Sequence, residues 1–314
     1  MPKFSRRLLL SAAIALPLMS SAARAADKIL ASVPGLSFPF FVHMMNAFKA
    51  EIKNQGYEAI ESDGQVSSPK QTADIEAAIT QGVKGIVISP NEVDAMAPAL
   101  QEAVQAGIPV VTIDRRVPSV EGILGHVGAD NVKGGEAQAQ LIMKLFPDGA
   151  TIVNLQGQSG ASPAIDRNKG LHNLLDPVKE KYKIVFEQTA GFARDKGMSV
   201  TESALSGLSE PPKVIVAAND DMALGAIEAV KARGLSGIAI IGFDALPEAL
   251  AQVRDGGMTA TIEQFPGKQS SMGVQTLVKF LKDGTKPDPK IILLTPQAVT
   301  KDNLNIAERL NEVK

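Results

Sequence analysis

The 314 residues include no cysteine, no tryptophan and only three histidines. The lack of cysteine excludes a disulfide framework, a thiolate metal site and a thiol nucleophile. His43, His126 and His172 are scattered along the chain. There is no phosphate-cradling GxxxxGK(S/T) loop, no GxGxxG after the first apolar strand, no GxSxG elbow and no HExxH pair. Gly157-Gln158-Ser159-Gly160 resembles such an elbow only loosely, because the final glycine spacing is wrong. Net charge is also small, formally −2. It gives no electrostatic reason to bind nucleic acid or an anionic membrane. Aromatic residues make up 4%, so each phenylalanine in a connecting segment stands out as a candidate contact.

What is present begins with an export signal over residues 1–25. Lys3, Arg6 and Arg7 form a positive start, an apolar stretch runs from Leu8 to Met19, and Ala23-Arg24-Ala25 is a small-x-small cleavage site. Ser11 and Pro17 interrupt the apolar stretch, which is well short of the roughly 20 residues of a permanent membrane helix. Ser5-Arg6-Arg7-Leu8-Leu9 also resembles a twin-arginine signal, so both export routes stay open. The expected location is the periplasm. Removing residues 1–25, which carry four positive charges and no negative one, takes the formal charge from −2 to −6. The remaining length suits two domains.

From Ile29 onward, short β-branched runs alternate with longer amphipathic segments. Strands are expected at Ile29–Val33, Gly85–Ile88, Val110–Ile113, Ile123–Val127, Thr151–Leu155, Ile184–Phe186, Val214–Ala217, Ile238–Ile241 and Thr259–Ile262. Helices are expected over stretches such as Phe41–Gln55, Pro69–Gln81, Val93–Ala106, Asn131–Phe146, Asp221–Arg233 and Lys268–Lys282. This spacing implies βαβ units and parallel sheets. Continuously apolar strands imply sheets covered on both faces. There is also an internal echo. Gly85–Asp114 and Lys213–Asp244 each run strand, turn, helix, glycine, strand, aspartate. Ser89 and Asn219 end the first strands and Asp114 and Asp244 the second, 25 residues later in both units. Two similar α/β halves explain the echo, with coincidence among generic βαβ units as the alternative.

Ligands of open parallel sheets bind beyond the carboxyl ends of the strands, where these four polar residues fall. Around them lies a recognition set. Phe40 and Phe41 follow the first strand and Phe192 a later one; their faces suit the C–H faces of a sugar ring. Asp114 and Asp244 accept hydrogen bonds from hydroxyls, Arg115 and Arg167 donate from a fixed fork, and Asn219 and Gln264 do both. Each has a plainer alternative. Phe40 and Phe41 could staple the first helix to the core, Asp114-Arg115 could be a local ion pair, Asp244 a helix cap, and Gln264 only a hinge residue.

At this point the chain resembles the periplasmic sugar-binding proteins related to ribose-binding protein, and more distantly the effector domains of LacI-type repressors. The matching stretches are Pro39–Val42, Val111–Arg115, Gly128–Gly135, Arg167–Gly170, Ala217–Ala226, Gly242–Glu248 and Thr261–Pro266. The resemblance implies an α/β fold of two Rossmann-like three-layer lobes joined by a three-crossover hinge. The crossovers would fall near Ala129–Asp130, Gln264–Phe265 and Leu294–Thr295. Residues 26–129 plus 265–294 would form the N-terminal lobe and 130–264 plus 295–314 the C-terminal lobe. Sugar-contacting positions map to Phe40, Phe41, Asp114, Arg115, Arg167, Phe192, Asn219, Asp244 and Gln264. The implied partners are a small sugar or sugar alcohol, an inner-membrane ABC permease and a chemoreceptor, with a monomeric chain and no cofactor or metal. Three positions depart from the ribose-binding pattern. Phe38 and Ser89 stand where asparagines are usual, and Pro34 where a serine is usual. Phe38 and Ser89 therefore join the candidate contacts, and the ligand is expected to differ from ribose. A LacI-type regulator would need a basic helix-turn-helix at the N-terminus, where an export signal stands instead. An enzyme would need a cofactor loop or a nucleophile, and neither is evident.

Overall fold

The computed structural model describes residues 26–314, so the expected export signal lies outside the described residues. The chain opens with β1 (Lys28–Val33), α1 (Pro39–Asn54), β2 (Glu58–Asp63), α2 (Ser68–Thr80), β3 (Gly85–Ile88), α3 (Ala97–Gln105), β4 (Val110–Ile113) and β5 (Gly125–Ala129). It continues through α4 (Asn131–Leu145), β6 (Ala150–Gln156), α5 (Ser162–Leu175), β7 (Tyr182–Thr189), α6 (Arg194–Gly207), β8 (Val214–Ala217), α7 (Asp220–Ala232), β9 (Ala239–Ile241), α8 (Pro247–Asp255) and β10 (Thr261–Glu263). It returns through α9 (Pro266–Asp283) and β11 (Ile291–Leu294) and ends near β12 (Gln297–Val299).

These strands form two parallel layers. One sheet runs β11-β5-β4-β3-β1-β2 and the other β7-β6-β8-β9. The pair β10-β12 is antiparallel and meets the second sheet through a bridge between Ile241 and Ala260. The central strands β3, β4 and β8 are buried at every residue, as continuously apolar runs covered by helices should be. Helices α1 and α9 pack against each other and cover the six-stranded sheet with Met44, Phe48, Val274 and Leu277. The chain passes between the layers after β5, after β10 and after β11.

Several elements depart from the sequence reading. β2 (EAIESD) carries three acids and is an edge strand, so it lacks the apolar run that marks a buried strand. β11 is the opposite edge, with alternating exposure. β5 begins two residues later than expected, and α3 begins at Ala97, after a turn over Val93–Met96. α4 and α5 approach so closely that a Cβ on Gly135 would overlap the Arg167 carbonyl oxygen, and one on Gly170 the Val132 carbonyl oxygen.

His126 on β5 is buried and shares a 3.0 Å hydrogen bond between Nδ1 and Thr112 Oγ1. Burial first, and then the nearby Arg116 charge, lower its pKa from 6.5 to about 4. The folded state therefore resists protonation that the unfolded chain accepts. This contribution is present above pH 6.5 and is lost as pH falls through 4. It amounts to about 3 kcal/mol. Denaturant titrations of His126→Asn should show a shallower loss of stability than the natural chain between pH 6.5 and 4. Parallel acid limbs would remove histidine as the cause.

Candidate ligand-binding site

The carboxyl ends of the strands of both layers point at one cavity. After β1 the chain turns into α1 with Pro39 in its first turn, which places Phe38, Phe40 and Phe41 on the cavity wall. Asp114 and Arg115 follow β4, Phe192 follows β7, Asn219 follows β8, Asp244 follows β9 and Gln264 follows β10. Arg167 reaches in from α5, with Pro163 beside it. The space between these side chains, open solvent included, is about 360 Å³.

The backbone beneath the site is strained. Asp114, Phe192, Asp244 and Phe265 have φ of 62°, 64°, 111° and 60°. Non-glycine residues in this region cost about 1–3 kcal/mol each unless the surroundings hold them. Asp114 is held by Ser89 Oγ, which donates to its Oδ2 at 2.9 Å, and by its own N–H to Val127 O at 2.9 Å. Asp244 receives Gln264 Nε2 at 2.6 Å and gives its N–H to Ile262 O at 2.8 Å. Behind it, the fully buried Asp220 accepts Leu246 N–H at 2.8 Å and Thr261 Oγ1–H at 2.7 Å. Those bonds clamp the turn that presents Asp244.

The two arginines are locked as firmly. Arg115 Nη1 donates to Asn91 O at 2.6 Å and to Gln158 Oε1 at 3.2 Å. Its guanidinium lies over the rings of Phe41 and Phe192, at 5.2 and 5.6 Å from the centroids. Arg167 donates Nε to Asn131 Oδ1 at 2.8 Å and Nη1 to Ala218 O at 2.6 Å. It stacks on Phe243 at 3.6 Å and lies 3.5 Å from Asp244. Burial pushes Asp244 up to about 8, with Arg167 opposing, and raises Asp114. Burial likewise lowers Arg115 to about 10 and lowers Arg167. Two carboxyl groups and two guanidinium groups thus face one cavity, and burial favours the uncharged form of all four.

Of the sequence candidates, Phe38, Phe40, Phe41, Asp114, Arg115, Arg167, Phe192, Asn219, Asp244 and Gln264 line this one cavity. Ser89 does not line it; its hydroxyl is spent on Asp114. Asp244 is not a helix cap, because α8 begins after Leu246 with no side-chain cap, whereas Asn219 does cap α7, accepting Met222 N–H at 3.0 Å. Gln264 does more than mark a crossover, since it bonds Asp244. The Asp114-Arg115 pair exists only at 3.9 Å. The sequence reading missed Pro163, Asn91, Gln158, Asp220 and Thr261. Only Asp220 carried a signal, an acid directly after a helix cap in a buried strand-to-helix turn. None of the three histidines lines the cavity, and no histidine or carboxylate cluster among the described residues is placed to hold a metal. A wider groove of about 850 Å³, lined by Ile123, Leu124, Phe280, Lys286 and Lys290 among others, offers no side-chain acceptor.

The family described as periplasmic binding protein domain matches residues 29–286. The ribose import binding protein of Bacillus subtilis is 40% identical over 237 residues, 75% of each chain. Its Escherichia coli counterpart is 34% identical over 264 residues, 84% of this chain and 88% of that one. A crystal structure of a Caulobacter myo-inositol binding protein bound to myo-inositol superposes with a TM-score of 0.88. It is 39% identical and covers 91% of this chain and 97% of that one.

Proposed function

The chain belongs to the periplasmic binding protein family, and from that premise we propose that it captures a neutral monosaccharide of pentose size, or a sugar alcohol, for an ABC importer. It is a solute-binding component and not an enzyme. One observation carries the ligand reading. Two carboxyl and two guanidinium groups, all buried, face one cavity between phenyl faces. Ligand hydroxyls would donate to Asp114 and Asp244 and accept from Arg115 and Arg167, relieving the burial that now disfavours each charge. A site in which burial opposes every charge favours a neutral polyol over a sugar acid or an amino sugar.

In this reading residues 26–129 plus 265–294 close on residues 130–264 plus 295–314, with crossovers near Ala129–Asp130, Gln264–Phe265 and Leu294–Thr295. The closed monomer is then the species recognised by the permease, and by any chemoreceptor that reads the same ligand. Export would follow from the signal expected in residues 1–25.

The finer reading concerns ribose. The wall formed by Phe38, Phe40, Phe41, Asp114 and Arg115 offers two polar side chains, because Ser89 is turned inward. The ligand should present fewer or differently placed hydroxyls to that wall than ribose would. Identity does not choose, since the relatives at 40% and 39% are named for ribose and for myo-inositol. Calorimetric titration with myo-inositol, xylitol and D-ribose should give tighter binding for a polyol than for ribose. Tight ribose binding with weak polyol binding overturns this finer reading, and no binding to any of them overturns sugar capture itself.

A further inference from the structure

The cavity arginines have sequence neighbours that point elsewhere. Arg115 and Arg167 line the cavity, whereas the adjacent Arg116 and Asp166 do not. They meet each other instead. Both Arg116 amino groups donate to the Asp166 carboxylate, Nη2 to Oδ1 at 3.0 Å. The Arg116 backbone N–H donates to Ser162 Oγ at 3.0 Å. Arg116 follows β4 of the six-stranded sheet, and Ser162 and Asp166 belong to α5, which packs on α4 beside the four-stranded sheet. The contact therefore joins the two layers, and it is separate from all three chain crossovers. A second bridge joins the loops after β3 and β6: Val93 N–H donates to Gly160 O at 2.9 Å, and Gln158 Nε2 to Asn91 Oδ1 at 3.2 Å.

Asp166 is 7% exposed and has Arg116 as its only ion-pair partner within 4 Å among the described residues. Separating the layers would break the pair and hydrate both ends. A paired, forked guanidinium–carboxylate contact is the stronger kind of charge-assisted bond, while rehydration limits what its loss can cost. Neither group lines the cavity, so the contact forms in the same way whatever the cavity holds.

Building on sugar or polyol capture between two closing lobes, we propose that Arg116 and Asp166, supported by Ser162, form a latch that sets the lifetime of the closed form for every ligand alike. They are positioning residues that tune affinity without contributing to selectivity. Such a latch acts on dissociation rather than on encounter.

The test uses the exported chain with the uncharged variants Arg116→Gln and Asp166→Asn and the double variant. Release of myo-inositol, xylitol and D-ribose is followed by chase with unlabelled ligand. Each single variant should release whichever of these the natural chain binds roughly tenfold faster. Association rates and the order of preference should not change. The double variant should be no worse than either single one, as a coupled pair requires. Unchanged release in both single variants, or an altered order of preference, overturns the latch and leaves capture standing. Failure of the natural chain to bind any of the three overturns capture, and the latch with it.

Discussion

Arg167→Ala should weaken ligand binding by at least about a hundredfold and also lower the stability of the empty protein. Arg167 is 4% exposed and lies among Asp244 at 3.5 Å, the Ala218 carbonyl and the Asn131 side-chain oxygen. Removing one partner from a buried ionic group costs about 3–5 kcal/mol, because the other partner is left uncompensated. Asp244, already pushed to about 8, loses the charge that opposes the burial effect. Its protonated form, already the larger share near neutral pH, should then persist to higher pH, so that it acts less readily as a full acceptor for a ligand hydroxyl. Lysine should not rescue the variant. It cannot span Asn131 and Ala218 with a planar fork while stacking on Phe243. Calorimetry on Arg167→Ala and Arg167→Lys checks both statements, and near-natural affinity in the lysine variant would remove the geometric argument.

Gly135→Val should have the second largest effect, and it acts on the same residue from behind. A Cβ at Gly135 would overlap the Arg167 carbonyl oxygen, so α4 and α5 cannot keep their separation. Overpacking of this kind costs about 3 kcal/mol. The shift carries the backbone of Arg167 with it, so affinity should fall together with stability. Gly207→Ala is the control. A Cβ there meets nothing within 4 Å, and alanine near the end of α6 should be neutral or slightly stabilising. Denaturant midpoints and ligand titrations of the two variants separate the packing claim from a general intolerance of change. A Gly135→Val protein of natural stability would show that the helices can move apart freely.

The two features differ in how legible they were. Arg167 could be nominated from its residue type and from the family resemblance. The role of Gly135 could not, because its constraint is a backbone oxygen 32 residues later in the chain. The same contrast runs through the site. Buried strands such as GIVI at Gly85–Ile88 are visible as apolar runs, but β2 and β11 are edges that stay partly exposed. The echo of Ser89 with Asn219 and of Asp114 with Asp244 placed four residues at strand ends. It did not show that Ser89 holds Asp114 while Asn219 caps a helix and donates to Phe192 O.

The sequence by itself determined the α/β alternation, the absence of cysteine chemistry, the near-neutral charge balance and the residue types available at the strand ends. Those are properties of local pattern and composition, and they survive without knowing which segments meet. Only the tertiary structure decided which groups are satisfied and which face the cavity. It turned Ser89 inward, buried Asp220 as a clamp, locked Arg115 between Asn91 and Gln158, and sent Arg116 across to Asp166. The reason is physical. Hydrogen-bond partners and desolvation depend on contacts between residues far apart in the chain, and these fix the charge and geometry that a ligand meets.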